Sequence, residues 1–230
     1  MSVKACVFDA YGTLFDVGAA ARLAAAEPGA ESWAEHWPRL AADWRRKQLE
    51  YSWLRAVAGA HVDFWQVTQD GLDWALESAG LANPDLRSRL LALYWELPAF
   101  PEVPAMLQAL RAQGRTLSIL SNGSPAMLQA AVDSAGIAAM LDGGCLSVEE
   151  VGVFKPDARV YDLVGQNLHL HRDQVLFVSS NCWDACAAAE YGFTAVWVNR
   201  DGAPIDRLQA TPGHVLSDLS ALPALASQLD

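Results

Sequence analysis

Apolar residues are spaced in three different ways along this chain. Residues 3–8, Val-Lys-Ala-Cys-Val-Phe, form a short run rich in β-formers that stops at Asp9, and it reads as a buried strand. Residues 10–16, with Gly12 and other small side chains, read as a turn or loop. From about 17 to 97 apolar positions recur at steps of three and four, which predicts amphipathic helices. Asn83-Pro84-Asp85 marks a break and a new helix start, with Pro84 suited to a first turn. Pro98, Pro101 and Pro104 then close the block.

Beyond residue 99 short apolar runs alternate with helical stretches. Helices are expected at 102–113, 125–135, 157–168 and 181–191, with strands at 116–120, 145–148, 174–179 and 194–198. Residues 214–217 read as a last short strand before a C-terminal helix. Strands that alternate with helices of this length imply an α/β fold with a parallel sheet. The core is expected from 1–16 and 99–230, and the all-helical stretch 17–98 is expected as an inserted cap domain. Function in such sheets sits at the C-terminal ends of the strands. Polar clusters fall there: Asp9, Ser121-Asn122, Lys155, and Ser179 to Asp184.

Composition narrows the classes of function. Hydrophobic residues make up 52% of the 230 and charged residues 19%, so the chain can bury a sizeable core. The formal net charge of -11 repels phosphate backbones and anionic lipid, so neither nucleic acid nor membrane is an expected partner. No apolar run reaches membrane-spanning length and the N-terminus lacks a signal-peptide pattern, so a cytoplasmic location is expected. Cys6, Cys145, Cys182 and Cys186 read as reduced thiols, the last two as small core residues on one helical face.

Asp9 follows an apolar strand and precedes a Gly-containing turn. A carboxylate there is a nucleophile, a metal ligand or only a turn former. Its surroundings favour chemistry. Thr13 is placed to orient it, Ser121 and Asn122 with nearby amides suit a carboxylate or oxyanion, and Lys155 near two aspartates favours their ionised forms.

Four segments stand in order: Asp9-Ala10-Tyr11-Gly12-Thr13, Leu120-Ser121-Asn122-Gly123, Lys155-Pro156-Asp157, and Phe177-Val178-Ser179-Ser180-Asn181-Cys182-Trp183-Asp184. In sequence and spacing they resemble the signatures of the haloacid dehalogenase superfamily, whose fold is a Rossmann-like parallel sheet core flanked by helices. Two departures from its phosphatases matter. Tyr11 stands where they carry a general acid, and Ser180 replaces the first of two acidic residues around their magnesium, while Asp184 is kept. A halide leaving group needs no proton, so these departures favour carbon–halogen cleavage over phosphoryl transfer.

The segment from Trp44 to Arg55 is similar to the cap helix of L-2-haloacid dehalogenases. That resemblance implies Asp9 as nucleophile on C2, Arg45 and Asn122 as halide acceptors, and Leu49, Phe64 and Trp183 as the apolar wall. It implies that Ser121 and the amides of Ala10 and Tyr11 hold the substrate carboxylate, and that Asp184 is the base for ester hydrolysis. Lys155 would keep both aspartates ionised, with Ser179, Asn181, Tyr161, Tyr11 and Thr13 as supports. Arg46 stands where many relatives have glutamine, and Trp53, Trp65 and Trp74 read as core. The implied reaction converts (S)-2-haloalkanoic acids to (R)-2-hydroxyalkanoic acids, with no metal or organic cofactor and with a homodimeric enzyme. A magnesium-dependent phosphatase and a catalytically silent binding protein are the competing readings.

Overall fold

The computed structural model describes residues 2–229; Met1 and Asp230, the outer ends of the expected core segments, lie outside the described residues. Strands β1 (Ala5–Phe8), β2 (Thr116–Ser121), β3 (Cys145–Ser147), β4 (Val175–Ser179), β5 (Thr194–Val198) and β6 (His214–Leu216) form one sheet in the order β3-β2-β1-β4-β5-β6. Every pairing is parallel. β1 lies in the middle and is buried along its whole length, which is why its sequence is apolar without alternation. It is shorter than the expected 3–8 run. Val3 is buried nonetheless, and the Lys4 N–H still donates to the Gln174 carbonyl.

The chain winds outward from β1 through β2 to β3, then returns to place β4 on the other side of β1. The strand order therefore reverses between β1 and β4, and a crevice opens at their C-terminal ends, where ligands bind in such sheets.

Between β1 and β2 the chain is helical from Ala19 to Trp95, in α1 (Ala19–Ala25), α2 (Trp37–Ala58), α3 (Phe64–Ala79) and α4 (Pro84–Trp95). Asp63 caps α3 by accepting from the Gln66 N–H, and Asn83 caps α4 by accepting from those of Asp85 and Leu86. α2 packs along α3, and α1 packs against both α2 and α4. The chain leaves and re-enters the sheet side by side: the Asp16 N–H donates to the Pro98 carbonyl, and the Phe100 N–H to that of Leu14. The remaining helices, α5 (Val103–Ala112), α6 (Pro125–Ser134), α7 (Ala158–Leu168), α8 (Cys182–Tyr191) and α9 (Leu222–Gln228), complete the order of the core. Among the described residues no helix is long and apolar enough to cross a membrane.

Candidate active site

β1 and β4 end next to each other, held by the bond from the Asp9 N–H to the Val178 carbonyl. The Asp9 side chain thus emerges beside the Ser179–Asn181 turn and is only 6% exposed. Its two oxygens have different partners. Oδ2 accepts from Asn181 Nδ2 at 2.9 Å, from Thr13 Oγ1 at 3.0 Å and, more weakly, from Ser179 Oγ at 3.4 Å. Oδ1 faces the Lys155 ammonium at 3.2 Å. Thr13 is itself fixed, because its hydroxyl oxygen accepts from the Ser180 N–H at 2.8 Å and lies 3.1 Å from Ser180 Oγ. Gly12 makes this turn with φ +89°, a conformation that other residues rarely adopt, and a Cβ there would lie 3.2 Å from Ser180 Oγ.

Lys155 is 1% exposed and bridges two carboxylates, Asp9 and Asp184, the latter at 2.9 Å. The Tyr161 hydroxyl donates to the other Asp184 oxygen at 2.7 Å. Burial by itself would lower the ammonium's pKa, but the charges of Asp184 and Asp9 outweigh it and leave Lys155 above its ordinary 10.5. Asp184 is raised above 3.8, first because it is wholly buried and further because Asp9 is near; Lys155 and Tyr161 pull the other way. Burial and Asp184 together push Tyr161 well above 10, so it stays a donor.

Arg45 reaches this group from α2. One guanidinium nitrogen donates to the Tyr11 carbonyl at 3.0 Å and Asn181 Oδ1 at 3.3 Å, and the other to Gln48 Oε1 at 2.8 Å. Asp9 and Asp184 against Lys155 and Arg45 make the cluster formally neutral, so a local site free of net negative charge exists inside a strongly acidic chain.

Asp9, Tyr11, Arg45, Leu49, Phe64, Ser121, Asn122, Lys155, Asn181 and Trp183 line one small, nearly closed cavity of ≈ 10 Å³, room for about one water, so α2 and its neighbours must shift before anything larger enters. Thr13, Ser179 and Asp184 lie behind this wall and bond to it, and Tyr161 bonds to Asp184. Ala10 is buried beneath, its carbonyl accepting from the Thr13, Leu14 and Phe15 N–H groups. Ser121 Oγ accepts from the Gly123 N–H at 3.0 Å, and Asn122 Oδ1 from the backbone N–H of Lys155 at 3.0 Å, which ties the ends of β2 and β3 together. Trp53, Trp65 and Trp74, expected in the core, are all only partly buried: Trp65 and Trp74 pack against the core from outside, and Trp53 meets Trp183 edge-on, with ring centroids 5.3 Å apart.

Three residues were missed by the sequence reading. Gln48, Thr68 and Tyr94 are buried behind Arg45: Gln48 Nε2 donates to Thr68 Oγ1 at 2.8 Å and to the Tyr94 hydroxyl at 3.0 Å. Thr68 passes its own proton to the Phe64 carbonyl at 2.7 Å.

Residues 3–192 match the family model described as haloacid dehalogenase-like hydrolase. The chain belongs to this hydrolase family. It is 45% identical over 228 residues to (S)-2-haloacid dehalogenase 1 of Pseudomonas sp. (strain CBS-3), which covers 99% of this chain and 98% of that protein. It is 41% identical to (S)-2-haloacid dehalogenase 4A of Burkholderia cepacia, over 99% and 97% of the two chains. Its structure superposes with a TM-score of 0.87, at 35% identity and over 99% and 100% of the chains, on the L-2-haloacid dehalogenase of Xanthobacter autotrophicus with chloropropionic acid covalently bound.

Proposed function

We propose that this enzyme hydrolyses (S)-2-haloalkanoic acids to (R)-2-hydroxyalkanoic acids and halide through an ester on Asp9. The observation that carries the reading is the Asp9 carboxylate, oriented through Oδ2 and lining one small cavity together with Arg45. In this reading a carboxylate oxygen of Asp9 attacks C2 from the side opposite the halogen, and the C–X bond breaks as the C–O bond forms. Arg45 and Asn122 take up the developing halide charge, Ser121 with the Ala10 and Tyr11 amides holds the substrate carboxylate, and Leu49, Phe64 and Trp183 enclose the alkyl group. Water then adds to the ester carbonyl, and the bond from that carbon to the ester oxygen breaks, so the hydroxyacid leaves with a former Asp9 oxygen, which takes up a proton. Asp184 takes the proton of the water, made a better base by burial, while Lys155 balances the charge of both carboxylates. One displacement at C2 inverts it once.

The helical block 17–98 acts in this scheme as a cap that excludes water, with Arg45 as its contribution to the chemistry. A scheme without a metal is supported by the donors present. The Lys155 ammonium already stands between the two carboxylates, and Ser180, at the position where metal-dependent relatives carry an acid, is engaged with Thr13. Halide release from each enantiomer of 2-chloropropionate, with and without chelator, tests the reading. The expected result is chloride and (R)-lactate from the (S) acid alone, unchanged by chelator. Magnesium-dependent phosphate release from phosphate esters, with no chloride from either enantiomer, would overturn it.

A further inference from the structure

Behind the closed cavity lies a second, open one of ≈ 620 Å³, between the end of α2 and the core. Its size falls within the range of about 300–1,000 Å³ usual for small-molecule pockets. Trp53, Ala56 and Val57 form one wall, with Phe154, Pro156 and Leu208 among the residues opposite. Asp157 is the charged residue of this lining, and both its oxygens are already taken by the Arg159 guanidinium at 2.9 Å.

The two cavities share a single lining residue among those described, Trp183. Its indole is therefore the partition. It is also a partition without a latch. Trp183 Nε1 is buried with no acceptor among the described residues, whereas Trp44 Nε1 donates to the Thr68 carbonyl at 2.8 Å and Trp197 Nε1 to the Ser180 carbonyl at 3.1 Å. Turning the Trp183 ring breaks no hydrogen bond to a described residue and gives up its edge contact with Trp53.

We propose that this groove receives the alkyl chain of longer 2-haloalkanoic acids, with Trp183 turning aside to join it to the site. The inference rests on the dehalogenase reading above and extends its substrate class. The carboxylate, C2 and the halogen keep to the polar lining of Arg45, Ser121, Asn122 and Asn181, once the small cavity has widened to admit them. The chain is the only part of such an acid that gains by leaving it. Another open space of ≈ 520 Å³ meets the small cavity at Arg45, Leu49, Asn181 and Trp183, but it is lined by Asp16, Arg200, Asp201 and Asp206, so the groove beyond Trp183 is the apolar one. Val57, 90% exposed, and Leu208, 47% exposed, then have a function as the outer lips of the groove. Each methylene buried there raises kcat/KM by up to about fourfold, the worth of one CH₂ taken from water.

The test measures bromide release from 2-bromopropionate, 2-bromobutanoate, 2-bromohexanoate and 2-bromooctanoate by the unaltered enzyme, Val57→Asp and Leu208→Asp. Solution mass is measured for each. Neither substituted residue touches the closed cavity, and their positions on a helix end and in a loop allow a charge without disturbing the core. Expected is a rise in kcat/KM with chain length in the unaltered enzyme. In both variants activity on 2-bromopropionate should be unchanged, activity on 2-bromooctanoate should fall at least tenfold, and mass should not change. Equal rates for variants and unaltered enzyme on every acid would overturn the inference alone. A change of mass in the variants would overturn it too and assign the groove to a second copy of the chain. No bromide from any acid with the unaltered enzyme would overturn the dehalogenase reading and the inference with it.

Discussion

Arg45 and Gln48 stand three residues apart on α2, and the guanidinium donates to Gln48 Oε1 over 2.8 Å. Gln48 is itself pinned from behind by Thr68 and Tyr94, so the charge over Asp9 is aimed by a buried polar relay running from α2 to α3 and α4. A guanidinium on a long side chain has many rotamers. The relay selects one of them before substrate arrives.

Gln48→Leu should therefore lower the rate of halide release on the order of 100-fold, the cost of misplacing a catalytic group by about an ångström. It should also destabilise the fold by about 1–3 kcal/mol, because the Tyr94 hydroxyl loses its partner in the interior and Thr68 Oγ1 loses one of its two. Single-turnover halide release and urea unfolding read the two effects separately. Repeating the measurement in an Arg45→Ala background decides whether Gln48 acts through Arg45: there the rate effect of Gln48→Leu should vanish while the stability loss remains. A full rate effect in that background would assign Gln48 a role of its own.

Lys155→Met should leave Asp9 and Asp184 buried without their shared cation, at a cost of about 3–5 kcal/mol near neutral pH. The pH dependence follows from the directions of the shifts. Lys155 has a folded pKa above its ordinary 10.5, so its stabilisation is complete below 10.5 and is lost as pH rises through the folded value. Asp184 has a folded pKa above 3.8, so it costs stability as pH rises from 3.8 up to that higher value. Removing the lysine removes a group that lowers Asp184, and the acid limb of the rate profile should move to higher pH. The stability gap between the two proteins should shrink toward acid pH, where the carboxylates are neutral. Urea unfolding at several pH values checks this, and a gap independent of pH would show that the loss is one of packing alone.

Gly123 closes the turn after β2 against Tyr11. A Cβ there would lie 2.8 Å from a Tyr11 ring carbon and 3.1 Å from a Leu128 methyl. Gly123→Ala should thus push the Tyr11 ring toward the cavity, with a stability loss of about 1–3 kcal/mol from overpacking. The cavity has no spare room, so KM for 2-chloropropionate should rise more than kcat falls. Steady-state kinetics separate the two, and unchanged KM would mean that Leu128 gives way instead.

The strand–helix alternation and the polar residues at strand ends were legible because each is a local pattern. β1 is apolar throughout as a central parallel strand must be, and Asp9, Ser121 and Ser179 stand at or just beyond the C-terminal ends of their strands. The relay behind Arg45 was not legible in the same way. The buried stripe of α2 is Leu40, Trp44, Gln48 and Ser52, four residues apart, and half of it is polar. Hydrophobic periodicity gives Gln48 and Ser52 to solvent. The available signal was a glutamine continuing an apolar four-residue step, three residues after the arginine. Trp53 shows the same limit from the other side: an aromatic at helical spacing reads as core, and only the fold shows that its edge meets Trp183 at the groove.

The last prediction concerns the origin of the product oxygen. If Asp9 forms an ester at C2 and water attacks the ester carbonyl, the hydroxyl oxygen of the product is a former Asp9 oxygen. With enzyme in excess over (S)-2-chloropropionate in oxygen-18 water, a single turnover should give unlabelled lactate and place the label in the peptide that contains Asp9. Over many turnovers label should appear in lactate, as labelled Asp9 oxygens are passed on. The hydrogen bonds explain why a carboxylate can do this here. Three donors on Oδ2 hold the group, while among the described residues Oδ1 meets only the ammonium of Lys155, at 3.2 Å. Asp9→Asn should abolish turnover, since an amide is a poor nucleophile toward carbon. Label in lactate from the first turnover would mean that water attacks C2 directly, and Asp9 would then be a general base; the fold and the family would stand, and the covalent step would not.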